Sequence, residues 1–138
     1  MIPKITEIIR YGNAAFTQTS AASATVTCTT FDATGCEWVA LLIKMGVTDV
    51  ISTVQIKEST DGTTATANVA GTSSFTIAAT GDSADYWVLI EARGRKRILG
   101  ATIAQGAGTS AIFSATWFGL GSFSLAQATI TPSLTISG

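Results

Sequence analysis

From Ile98 to Gly138 the chain carries no Lys, Arg, Asp or Glu, and it has no His anywhere. Charged side chains normally keep a protein surface solvated and unassociated, so such a stretch is poorly suited to face bulk water over its whole area. It has to be buried in its own domain, in a neighbouring subunit or in a membrane. Charge is sparse throughout, at 12% of residues, where an average soluble domain has about 25%. A net charge of −1 gives little colloidal repulsion and no global attraction for nucleic acid or anionic lipid. Self-association is the expected consequence.

The 138 residues suit one domain with a single core. The opening MIPKITEIIRYG is interrupted by Lys4, Glu7 and Arg10, so it forms no apolar signal-peptide region. Residues 111–130 are uncharged and long enough to cross a bilayer. However, Ser114, Thr116, Ser122, Ser124, Gln127 and Thr129 recur through them, and no apolar run approaches ~18 residues. A membrane span is not expected.

Helical periodicity is nearly absent. Only Lys4–Arg10 could form a helical turn, and it reads equally well as an extended arm. Strand signals are clearer: Ser23–Phe31 alternates, with Val26 and Cys28 on one face and Thr25, Thr27 and Thr29 on the other. Asp32-Ala33-Thr34-Gly35 supplies turn chemistry. Cys36–Met45 is apolar on both faces through Trp38–Ile43, the mark of a central strand covered on both sides. Val50–Lys57 alternates with Val54 and Ile56 inward, and Asp61-Gly62 then turns the chain into Thr64–Val69. Thr72–Ala79, Tyr86–Ala92, Arg97–Ile103 and Ser110–Leu120 follow as further strands, and Ser122–Ser137 as a final strand or arm broken by Pro132. About eight or nine strands, with no crossover helices, predict an all-β, antiparallel, jelly-roll-like β-sandwich. It spans residues 12–121, with an arm over 1–11 and a last strand or arm over 122–138.

Without histidine the chain lacks the commonest general base and the commonest metal ligand, so Ser-His-Asp and Cys-His sites cannot be assembled. Two cysteines, Cys28 and Cys36, are too few for a disulfide scaffold or a structural zinc site and read as buried small residues, with one disulfide as the alternative. Asp82 and Asp85 have loop spacing at which hard oxygens can ligate Ca²⁺, although a solvated turn is the plainer reading. Trp38, Trp87 and Trp117 all sit in hydrophobic strands, as core or interface residues do. Neither a catalytic site, a metal site nor a cofactor is expected. Arg93, Arg95, Lys96 and Arg97 form the one basic cluster. It reads as a solvated hairpin tip or a contact for an acidic partner surface. With no aromatic residues interleaved for base stacking, it does not specify nucleic acid.

Phe31-Asp32-Ala33-Thr34-Gly35-Cys36-Glu37-Trp38 through Ile43 resembles the opening of a family of small virion structural proteins of tailed phages, where a turn of the form D-T-x-G-aromatic-E enters a buried strand. Val54-Gln55-Ile56-Lys57-Glu58-Ser59-Thr60-Asp61-Gly62-Thr63-Thr64 is similar to that family's V-x-E-S-x-D-G-T hairpin, and Lys96-Arg97-Ile98-Leu99 to its K-R-Y-hydrophobic-R segment. The likeness covers roughly residues 31–120. Cys36 and Ile98 depart from it, standing where an aromatic and a tyrosine are commoner. It implies a capsid cement or decoration protein, often trimeric, that sits on the shell and binds the major capsid protein. The partner contacts would then be Arg93, Arg95, Lys96 and Arg97 at the tip, with Gln127, Thr129, Ile130, Leu134 and Ile136 in an arm. A tail, fibre or baseplate component is the alternative, and a carbohydrate-binding adhesin module would need a tryptophan exposed in a groove.

Overall fold

A computed structural model of the chain describes residues 9–121 and 132–136. Among these the strands are β1 (Ile9–Ala21), β2 (Thr25–Thr27), β3 (Phe31–Asp32), β4 (Trp38–Thr48), β5 (Ser52–Ser59), β6 (Ala65–Asn68), β7 (Ser74–Ile77), β8 (Ala84–Glu91), β9 (Ile98–Gln105), β10 (Ser110–Leu120) and β11 (Leu134–Ile136). One sheet has the order β1-β10-β4-β8-β11. The other has β2-β9-β5-β6, with β3 also on β9 and β7 also on β5. All pairings are antiparallel except that of β11 with β8.

One expected strand is interrupted, and two expected separately lie along a single edge. Ser23–Phe31 becomes β2 and β3, which lie on the same edge of β9 at Ala104–Thr102 and at Leu99–Ile98. Between them the Thr29 amide turns across to the carbonyl of Ala14, at 2.8 Å. β6 and β7 likewise share one edge of β5: Val69 and Ser73 both bond to Ile56, and residues 70–72 loop out between them past Gly71 at φ 82°. Counting each interrupted pair as one strand, the two sheets are β1-β10-β4-β8 and β2/β3-β9-β5-β6/β7. This is the strand order of a jelly roll, and the all-β sandwich expected from the sequence is the fold.

The core lies between the sheets because strand alternation sends one apolar set inward. Val39, Leu41 and Ile43 from β4, Val88 and Ile90 from β8, and Val54, Ile56 and Ile103 from the facing sheet are all fully buried. At one end of the core Phe31 closes the gap between the sheets. Its ring lies against the backbone of Gly12 and Gly119: a Cβ at Gly119 would come within 2.9 Å of the Phe31 ring and 2.6 Å of Cys36 Sγ. Phe31 stacks on Trp117 at 6.0 Å, and Trp117 Nε1 donates to the Thr29 carbonyl at 2.8 Å. At the opposite end the core becomes polar, where buried Ser52 Oγ donates to Gln105 Oε1 at 2.6 Å.

At the N-terminal end the structure differs from the expected arm, and at the C-terminal end it has the strand that was one of two expected alternatives. Ile9–Tyr11, expected in an arm, belong to β1: Ile9, Arg10 and Tyr11 pair with Leu120, Gly119 and Phe118. At the other end Leu134 and Ile136, expected in a partner-binding arm, are 8% and 3% exposed inside the chain's own core. Their two-residue periodicity turns both toward the facing sheet once β11 pairs with β8. Gln127, Thr129 and Ile130 lie outside the described residues.

Candidate interaction surface

The side of the β1-β10-β4-β8-β11 sheet that faces away from the core is unusually apolar. Register places Tyr11, Phe118, Ala40 and Leu89 in one row across β1, β10, β4 and β8. Adjacent rows hold Leu120 with Trp38 and Glu91, and Thr116 with Leu42 and Trp87. Trp87 packs against Phe118 at 5.9 Å. Across the register the two rings flank Ala40, which is only 3% exposed although its strand position points out of the core. The double-sided apolarity of Trp38–Ile43 is thus explained: the inward set fills the core, and the outward set builds this face.

The rim of the face is more open. Tyr11 is 80% exposed, Phe16 78%, Val47 68% and Ile112 38%. Phe16 is displaced by irregularities in β1 between Asn13 and Ala15 and between Ala15 and Gln18. Val47 and Gly46 together oppose Ile112, an extra residue that bulges β4 outward. Lys44 and Asp85 neutralise each other there through an exposed bridge of 3.1 Å. Large aromatics on an apolar, weakly charged face match the composition of protein–protein contact cores. Sequence reading missed Tyr11 and Phe16, which lie in a strand it did not assign.

The basic cluster is less available than its sequence suggests. Arg97 forms a fork with Asp32, its Nε and Nη2 donating at 2.8–3.0 Å, and the Lys96 amide donates to Glu58 Oε2 at 3.2 Å. Arg97 is thus paired within the chain although its side chain stays 68% exposed, while Arg93 and Lys96 are exposed at the tip without that pairing to Asp32. The Arg97 guanidinium, followed by Thr34, holds the Asp32 carboxyl well below the usual carboxylate range. Asp61 is lowered in the same direction by the Thr64 amide and hydroxyl, then the Thr63 amide and the Ser59 hydroxyl. Both folded pKa values lie below the unfolded value of about 3.9. Their stabilisation is therefore complete above that value and is lost as pH falls through the folded values. Urea midpoints should fall as pH drops below about 4, and Asp32→Asn with Asp61→Asn should flatten that slope. An unchanged slope in the double variant would place the acid sensitivity elsewhere.

Asp82 and Asp85 are both engaged within the chain. Asp82 Oδ1 accepts from the Thr48 amide at 3.0 Å, and Asp85 is paired with Lys44. Among the described residues no group of three His, Cys, Asp or Glu is placed to hold a metal ion. Cys28 and Cys36 are not joined in a disulfide, and burial pushes the Cys28 thiol up to about 12. Trp117 is fully buried, while Trp38 and Trp87 lie half-buried on the outward face. An open groove of about 510 Å³ on the other sheet is rimmed by Thr27, Thr29, Thr63 and Thr66 over Gly100, with no aromatic or charged side chain in its lining. Among the described residues no helix is long and apolar enough to cross a membrane.

No protein-family model matches the chain, and no curated protein matches it. A solved structure to which it is similar comes from Bacillus endospore appendages, a family of disulfide-linked pili. That chain is 17% identical, with 83% of this chain and 90% of that one covered at a TM-score of 0.48.

Proposed function

We propose that the chain is a non-enzymatic virion structural protein, a cement or decoration protein that binds the outside of a tailed-phage shell and ties neighbouring capsid subunits together. The observation that carries this reading is the outward face of the β1-β10-β4-β8-β11 sheet, with Tyr11, Phe16, Phe118, Trp38 and Trp87 on a face whose charges are Glu91 and the Lys44–Asp85 pair. The resemblance over residues 31–120 to small phage virion proteins supports it. A protein repeated over a symmetric lattice gains stability from many modest contacts of this kind. In this reading the major capsid protein packs on the open face, Arg93 and Lys96 meet acidic groups at its margin, and the decoration unit is a trimer.

The test is binding of purified protein to shells that lack it. Exposed aromatics dominate such contacts, so Tyr11→Ser with Phe16→Ser should weaken attachment at least tenfold, about 1.4 kcal/mol. The same changes should leave folding stability within about 0.5 kcal/mol, because both side chains are exposed in the free protein. Attachment at full strength would remove this face from the contact. Failure of the unaltered protein to bind any shell would remove the capsid reading.

A further inference from the structure

β11 joins the sandwich in a way no hairpin can. The jelly roll is complete without it, with β8 as an edge, and β11 then lies alongside that edge in parallel. Leu134, Thr135 and Ile136 pair with Val88, Leu89 and Ile90, and the Ser133 amide donates to the Trp87 carbonyl at 2.8 Å. Leu134 and Ile136 bury beside Val88 and Ile90, while Thr135 is exposed. The β8 edge is thus a strand acceptor: backbone groups supply the ladder, and the core end between the sheets takes an apolar-x-apolar pattern.

A parallel neighbour has to arrive by a crossing connection. Between β10 and β11 in the sheet lie β4 and β8, so the two strands are three strand spacings, about 14 Å, apart. Residues 122–131 connect Gly121 to Pro132, and a chain of that length reaches up to about 33–36 Å when extended. That reach is more than twice the lateral separation, so the length of the connection does not confine β11 to its own β8 edge. Every contact that β11 makes would be the same on the β8 edge of another molecule, which is the condition under which strand exchange between copies costs little. From Ile98 onward the sequence places no charge that would discourage it.

We propose that β11 is a donated strand: in the assembled protein, Leu134–Ile136 of one copy occupies the β8 edge of the next. The inference rests on the assembly reading above only in requiring several copies together, and it names the contact that joins them. The test uses the full chain carrying Leu89→Cys and Thr135→Cys, an outward-facing register pair, with Cys28→Ala and Cys36→Ala. Isotopically heavy and light protein are refolded together, oxidised and digested. Heavy–light crosslinked peptides as abundant as like–like ones are expected. Only like–like crosslinks would overturn the proposal, and so would the absence of any crosslink, since β11 would then not lie on β8 at all. Mixed crosslinks in a protein that binds no shell would leave donation standing and remove the capsid reading. Like–like crosslinks with shell binding intact would do the reverse.

Discussion

Replacing Trp117 with alanine is expected to cost about 3–5 kcal/mol, the range for removing a large buried aromatic. Trp117 is fully buried, stacks on Phe31, and holds the Thr29 carbonyl through its indole N–H. It stands on β10 and both of its partners belong to the segment containing β2 and β3, so it binds one sheet to the other. Gly12 and Gly119 make room for the Phe31 ring, which lies against their backbones. Trp117→Phe keeps much of the apolar contact but strands a carbonyl, for a smaller loss of about 1–3 kcal/mol. Urea unfolding of the three proteins gives the comparison. A loss below about 1 kcal/mol for the alanine variant would contradict the packing described, since that is the scale of ordinary substitutions.

Leu134→Ala combined with Ile136→Ala is the second large effect. Each side chain is buried in the common core, and each truncation should cost about 2–5 kcal/mol. Against a total of about 5–15 kcal/mol for a typical domain, the double variant is brought close to unfolding at ambient temperature. Deleting residues 127–138 should be at least as severe, because it also leaves the β8 edge unpaired. If the segment were only a partner-binding arm, the same changes would leave thermal unfolding unmoved and weaken attachment alone. Thermal unfolding of the isolated protein therefore distinguishes core strand from arm. A midpoint unchanged within a degree or so would contradict the burial of Leu134 and Ile136 and restore the arm.

How much of this was legible depended on whether a residue's neighbours in sequence are also its neighbours in space. Val54 and Ile56 alternate with polar residues and fall inward as expected, and Asp61-Gly62 turns the chain with Gly62 at φ 82°. Asp61 Oδ1 accepts the Thr63 and Thr64 amides at 2.9 and 2.8 Å, a contact set entirely by local spacing. β1 was not legible. Ala14 and Ala15 are both buried and Phe16 is exposed, so two irregularities erase the alternation, and Ala, Asn and Gln carry little strand preference. Its extended form comes from pairing with β10, whose residues lie far away in sequence, as Ile9 with Leu120 and Ala21 with Ser110. β11 is three residues long and pairs in parallel, which leaves only the Leu-Thr-Ile pattern to read.

The interaction face was half legible for the same reason. Apolar residues on both sides of Trp38–Ile43 indicated a covered strand, but the aromatic row depends on register between β1, β10, β4 and β8. The basic cluster misled in part, because Asp32, the partner of Arg97, is 65 residues away in sequence. An acidic partner surface therefore has Arg93 and Lys96 to meet, while Arg97 is already engaged.

The most direct test of the proposed role is quantitative mass spectrometry of purified particles from the source, counting copies of this chain per copy of the major shell protein. A cement protein spread over the lattice predicts a ratio near one or a simple fraction of it. A handful of copies per particle would move the protein to a tail or fibre, and its absence from particles would contradict a virion role outright.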